Sequence, residues 1–302
     1  MKKIILLAIV ALLMACTEKE PASPDSISRS KPLVITSNYP LYFFTQEIAG
    51  DSIEVHFPAI TGDPAMWAPT GPDVAQLQNA DLLILNGAGY ESWLAFTTLP
   101  AGHSLDTTEL FQEMLLPIEN ETVHQHGPAG EHSHQGTAFT TWLDPQLAIE
   151  QARAIMQGLS LLEPGQSGLF EINFEKLKQR LTQLDQALAS AFAELGEQPV
   201  IFSHPVYQYL QHRYGINGRS MHWEPDTEPG TREWIDFGNL LRQHPAKLMI
   251  WEGTPLDSVR VKLEQMGIQI VVFSPAGNVP SDGDYFTVME QNLAGLRAFT
   301  KP

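Results

Sequence analysis

The sequence predicts an α/β protein of two lobes with parallel sheets, joined by one long helix. Three observations carry this. From Pro164 to Gly196, Phe170, Phe174, Leu177, Leu181, Leu184, Leu188, Ala191 and Leu195 recur in steps of four and three, which puts them on one helical face. Before that stretch, short apolar runs alternate with helical patterns, and after it the same alternation resumes. Some 30 helical residues span roughly 45 Å. That exceeds what one small domain needs, so the helix is read as a strut between two lobes rather than as a surface helix of one.

The elements follow in order. Leu33-Val34-Ile35-Thr36-Ser37 is an apolar run of strand type, and Leu41 to Ile48 is a helix ending at Gly50. Ile53 to Phe57 alternates as a strand. Thr61 to Pro69 is a loop by its Gly and Pro content, and Pro72 to Asn79 is a helix. Asp81 to Gly87 is a second buried strand, followed by a helix through Trp93. Pro145 to Leu162 is helical and leads to the strut. In the second half, strands are predicted at 200–203, 216–223, 248–251 and 268–273, with helices at 206–213, 232–243, 256–266 and 286–299. Strands separated by helices pair in parallel, and ligands bind beyond the carboxyl ends of parallel strands. His204, Glu224, Glu252 and Ser274 stand at such ends.

The chain has 302 residues, 43% of them hydrophobic, which suffices for two domains with real cores. Acidic residues outnumber basic ones by 35 to 18, for a formal charge of −17, so nucleic acid is not an expected partner. Lys2 and Lys3 precede an apolar run from Ile4 to Met14 that is too short to span a bilayer. Leu13-Met14-Ala15-Cys16 then resembles a lipobox, with lipid expected on Cys16, the single cysteine. The expected division is a signal at 1–15, a tether at 16–31, a first lobe at 32–163, the linking helix at 164–196 and a second lobe at 197–302.

Residues 119–136 interrupt the alternation. His124, His126, His132 and His134 lie there among Gly, Pro, Ser and Gln, four of the ten histidines within eleven residues. No apolar period runs through them, so an exposed mobile loop is expected. Neutral imidazole suits Zn²⁺, Cu²⁺ and Ni²⁺, and paired His-x-His steps can close around one ion. His222 and Glu224 flank Trp223, so on a strand both would point to one side. Trp67, Trp142, Trp223 and Trp251 fall in or beside the same segments, and an aromatic-walled cleft would suit an organic ligand or a metal chelate. A histidine with two glutamates could also build a zinc hydrolase site. The chain has no His-Glu-x-x-His, no Gly-x-Ser-x-Gly and no phosphate loop, so no enzyme is expected.

Several stretches together resemble a known family. They are Val34-Ile35-Thr36-Ser37-Asn38-Tyr39-Pro40-Leu41, Glu47 to Asp51, Asp81 to Gly89, Trp142-Leu143-Asp144-Pro145, Ser203-His204-Pro205 and Asp226-Thr227-Glu228-Pro229. The chain resembles the zinc and manganese solute-binding lipoproteins of bacterial ABC importers over about Pro32 to Phe299. The resemblance implies two α/β lobes around a long rigid helix, with metal bound in the cleft between them. It also implies zinc or another divalent transition metal as cargo, an ABC permease as partner, and a monomer held at the periplasmic or outer cell surface through Cys16. A receptor of the same fold for a metal chelate or small organic ligand is the alternative. The family's ligands carry over at one position in four. His204 matches, whereas Ala65, Thr140 and Ser274 stand where the family has His, His and Asp. The usual site cannot form from these residues. A site rebuilt on the second lobe is expected instead, around His204 with His222, Glu224 and Glu252, completed by a loop imidazole or water.

Overall fold

A computed structural model describes residues 30–118, 124–125, 131–132 and 136–300. The first lobe begins with β1 (Leu33–Thr36), buried along its whole length. It leads into α1 (Tyr39–Ala49), whose N-cap Asn38 accepts from the Leu41 amide while Pro40 sits in the first turn. β2 (Glu54–His56), α2 (Gly71–Gln78), β3 (Leu82–Leu85) and β4 (Ser104–Asp106) follow. The four strands form one parallel sheet in the order β2-β1-β3-β4. β4 is absent from the sequence reading because Leu105 is the one apolar residue of its three. The helix expected through Trp93 is a 3₁₀ turn at Ser92–Phe96.

Where a structureless loop was expected, β5 (His124–Gln125) and β6 (Glu131–His132) pair antiparallel, with His124 opposite His132 in register. Backbone pairing of this kind requires no apolar period. His126, His134 and Cys16 lie outside the described residues.

α3 (Pro145–Leu162) starts at the N-cap Asp144, which accepts from the Gln146 amide. α4 (Ser167–Ala193) is the long helix, 27 residues and about 40 Å. It is shorter than the stretch expected from Pro164 to Gly196. Pro164–Gln166 forms a separate 3₁₀ turn, and Gly165 and Gly168 weaken helix propagation there. Gly196, at φ +58°, turns the chain beyond the C-terminal end. All eight apolar positions of the predicted face are buried.

The second lobe comprises β7 (Val200–Phe202), α5 (Gln208–Tyr214), β8 (Gly218–Ser220), α6 (Thr231–Gln243), β9 (Leu248–Trp251), α7 (Asp257–Gln265), β10 (Gln269–Val272) and α8 (Tyr285–Thr300). Its strands are parallel in the order β10-β9-β7-β8. β8 stops at Ser220, well short of the predicted Trp223, so the alternation expected for His222 and Glu224 does not apply.

One apolar core joins the lobes: Val34 and Ile84 of the first sheet and Val200 and Ile250 of the second pack into a cluster with Phe170, Phe174 and Leu181 of α4. α4 is also tied laterally. Asp185 accepts both Arg213 Nη2 at 2.6 Å and Arg213 Nε at 3.0 Å, and it accepts Gln146 Nε2 of α3 at 2.8 Å. Arg213 and α3 belong to opposite lobes, so the helix holds both from one buried carboxylate.

Candidate metal centre

Three second-lobe loops bring donors together. β7 ends at Phe202, and Ser203 still donates its amide to Ile250 O at 2.8 Å before His204-Pro205 leaves the sheet, Pro205 having no amide to continue a ladder. β9 ends at Trp251, directly before Glu252. Beyond β8, the amides of Met221 and Trp223 donate to Phe202 O and Ser203 O at 2.8 and 2.7 Å, which draws Glu224 alongside His204. The segment after Glu252 packs closely on the segment after Glu224: a Cβ on Gly253 would come within 3.2 Å of the Pro225 ring, a tight contact that glycine avoids. Leu256 N donates to Pro225 O at 3.2 Å across the same contact.

His204, Glu224 and Glu252 each offer one ligand atom, and these atoms lie within 4.8 Å of one another. His204 Nε2 is 3.3 Å from Glu224 Oε1, and His204 Nδ1 is 3.8 Å from Glu252 Oε1. Burial pushes the Glu252 carboxyl up to about 8, helped by the charge of Glu224 and a hydrogen bond with it. Two carboxylates this close repel each other, and a dication between them would relieve that repulsion. An imidazole nitrogen and carboxylate oxygens are donors that Zn²⁺ accepts.

His222 is not drawn into this set. Its ring centroid is 6.0 Å from that of His204 with the planes perpendicular, and the three converging ligand atoms do not include one of its nitrogens. Of the loop histidines, His124 and His132 face each other in backbone register.

The three positions where the family carries ligands have structural uses here. Ala65 is buried and donates its amide to Asp63 Oδ1 at 2.9 Å. Thr140 Oγ1 donates to Val206 O at 2.6 Å, so a neutral hydrogen bond between the lobes occupies the place of a ligand. Ser274 Oγ accepts from the Ala276 amide at 3.2 Å, and Asn292 brackets the Ser274 backbone.

The tryptophans do not wall a cleft. Trp142, Trp223 and Trp251 are at most 2% exposed, and Trp67 packs edge-on against Trp93. Trp142 Nε1 donates to Pro275 O at 2.7 Å, another bond between lobes. A hollow of about 430 Å³ lies elsewhere, between β10 and α8, and no ionisable side chain lines it.

The sequence reading passes over Asp63. Its charge acts on His204, Glu224 and Glu252, so it lies within electrostatic reach of all three from the first lobe. The residue keeps exposed surface, yet the packing round its carboxyl group raises its pKa. In the sequence it is an acid between Gly62 and Pro64, in a loop whose composition alone marks a turn.

The family model described as zinc-uptake complex component A, periplasmic, matches residues 34–299. A zinc-binding lipoprotein, AdcA, of Streptococcus pneumoniae (strain ATCC BAA-255 / R6) is 27% identical over 315 residues, covering 99% of this chain and 61% of the relative. The chain thus spans about three-fifths of that relative's length. The high-affinity zinc uptake system protein ZnuA of Bacillus subtilis (strain 168) is 24% identical, with 97% and 95% covered. Among solved structures, Zn(II)-bound AdcA from S. pneumoniae superposes with a TM-score of 0.74 at 23% identity over 90% of this chain and 58% of that one. The metal-dependent lipoprotein YcdH from B. subtilis does so at 0.75 and 22%, over 89% and 99%. These structures share the two-lobed fold, and the chain belongs to the family of periplasmic zinc-uptake component A proteins.

Proposed function

We propose that this protein is an extracytoplasmic solute-binding protein that captures Zn²⁺ between its lobes and delivers it to an ABC permease. The observation that carries the reading is the convergence of His204, Glu224 and Glu252 within 4.8 Å at the carboxyl ends of a parallel sheet. Family membership supports import as the purpose, and the zinc-binding relatives support zinc as the cargo. Binding rather than turnover is the chemistry: the donors hold a cation, and release follows when the lobes are prised apart. The lipobox-like Leu13 to Cys16 supports a lipid anchor on Cys16, with residues 16–31 as tether, and no helix among the described residues is long and apolar enough to cross a membrane. We assign the lobes to 32–163 and 197–302, with 164–196 linking them, and the chain works as a monomer. The histidines of 119–136 add a weaker capture site.

Calorimetric titration of metal-free protein with Zn²⁺ tests the reading. One tight equivalent is expected. Affinity no better than about millimolar, roughly −4 kcal/mol of binding free energy, would remove zinc as the cargo.

A further inference from the structure

We propose that the turn joining α3 to α4 is a membrane-docking tip, and that Leu161, Leu169 and Ile172 seat it in the surface of an uncharged lipid bilayer. The proposal rests on the lipid anchor at Cys16 given above and adds a second, noncovalent contact with the same membrane.

The tip is apolar and uncharged. Leu161 is 84% exposed, Ile172 58% and Leu169 40%. Leu161 lies in the last turn of α3, while Leu169 and Ile172 stand three apart in the first turns of α4 and so share a face. From Pro164 to Phe170 the chain carries no charge. Folding buries the inner faces of the two helices through Leu159, Phe170 and Phe174 and leaves these three side chains outside the core. Large apolar groups left in water together at one hairpin end mark a contact surface.

The tip stands where the chain enters the fold. Pro32 O accepts the Glu54 amide at 2.9 Å and Leu33 N donates to Asp81 Oδ2 at 2.7 Å, which fixes the entry at the amino ends of the first sheet. The same ends carry the hairpin. Asn173 Nδ2 donates to Ile48 O at 3.1 Å, just ahead of the turn that leads into β2. A Cβ on Gly158 would stand 3.6 Å from Leu82 Cδ2, at the start of β3. Cys16 to Lys31 is sixteen residues, and a coil of that length averages roughly 22 Å from end to end. α4 runs about 40 Å from this tip to its far end, where the second lobe begins. An anchor on Cys16 thus keeps the tip, and not the second lobe, close to the lipid.

Tethering makes a weak contact sufficient. It turns docking into an intramolecular step at an effective concentration of about millimolar, so the three aliphatic side chains need supply no more than about millimolar affinity. Glu163 and Glu171 border the tip, so anionic headgroups add nothing and the contact should survive high salt. Docked in this way, the molecule stands on its first lobe and holds His204, Glu224 and Glu252 of the second lobe off the lipid, open to ions in solution.

The test uses the full lipidated chain on phosphatidylcholine vesicles, with an environment-sensitive nitrobenzoxadiazole dye on one introduced thiol. With Cys16, the only native cysteine, carrying lipid, Gln166→Cys labels the tip alone. Met66→Cys, exposed in the loop that Asn278 of the second lobe bonds, labels the cleft end. Dye at 166 is expected to shift its emission to the blue on vesicles and to be quenched by doxyl-labelled lipid, and dye at 66 to do neither. Leu161→Ser, Leu169→Ser and Ile172→Ser together should abolish both changes at 166 with an unchanged melting temperature, because all three side chains are exposed. Water-like emission at both positions, or quenching that persists in the triple variant, overturns docking while the anchor stands. A blue shift at 166 without quenching by doxyl lipid overturns it in favour of contact with a second copy of the chain. Failure of the chain to float with the vesicles removes the anchor and the docking with it.

Discussion

Counted within each lobe, both sheets run in the order second, first, third, fourth, so β1 and β3 correspond to β7 and β9. In each sheet the chain reverses its direction of winding between the first and third strands, the place where open parallel sheets form ligand crevices. The residues there differ in kind. Beyond β1 and β3 stand Ser37, Asn38 and Asn86, all buried and bonded to one another. Asn86 Oδ1 accepts Asn38 Nδ2 at 3.1 Å and Gln151 Nε2 at 3.2 Å, while Asn86 Nδ2 donates to Gly87 O and Phe139 O at 3.1 and 2.9 Å. Beyond β7 and β9 stand His204 and Glu252, with Glu224 beside them. Amides and hydroxyls carry both donors and acceptors and can satisfy one another. Carboxylates are acceptors alone, and two of them side by side call for a proton or a cation. One topology thus builds a closed structural joint in the first lobe and an open donor cluster in the second, and the difference lies in the balance of donors to acceptors.

The largest effect should come from breaking the second-lobe end. His204→Ala removes the donor between both glutamates and should weaken zinc binding by more than about 100-fold, with little change in metal-free stability, as titration and melting curves would show. An unchanged affinity would place the metal elsewhere.

The first-lobe end should respond in the opposite way. Asn86→Ala deletes four buried side-chain hydrogen bonds and should cost about 3 kcal/mol of unfolding free energy in denaturant titrations, at about 1 kcal/mol for most of them. Zinc affinity of the folded fraction should stay at the wild-type level. A large affinity loss with normal stability would show that the first switch point also binds.

A smaller effect sharpens the contrast through pH. Glu91 accepts the amides of Asn86 and Gly87 at 2.6 and 3.1 Å, yet burial pushes its carboxyl up to about 7 from an ordinary 4.5. Between those values the folded chain holds a proton that the unfolded chain has lost. The stability this contributes is complete below about 4.5 and is lost as pH rises through about 7. The melting temperature should therefore fall between about pH 4.5 and pH 7, and Glu91→Gln should flatten that fall. An identical slope in the variant would assign the titration to other groups.

The smallest structural effect belongs to the histidines of 119–136. Replacing His124, His126, His132 and His134 by Ala should leave metal-free stability within about 0.5 kcal/mol. It should also remove one weak zinc equivalent or slow capture. Unchanged stoichiometry together with unchanged capture kinetics would deny the loop any part in handling metal.

Local pattern alone made much of this molecule legible. The face of α4 and the turn after it is written in steps of four and three, and each of the eight apolar positions is buried. β1, β3, β7 and β9 are apolar runs bounded by turn residues, which is why His204 and Glu252 could be placed at strand ends before any sheet order was known. Only tertiary structure decided which of those ends meet. Periodicity tells a side chain which face it lies on, but the convergence of Glu224 with Glu252 depends on sheet order and on the packing of the segment after Glu252 against Pro225, and neither has a local signature. The same holds for His222, which lies beside His204 yet outside the donor set, and for three tryptophans that could line a cleft and are instead core. Asp63 is a further case: its charge acts on His204 from the other lobe, and a linear chain does not display proximity made by folding two lobes onto one helix.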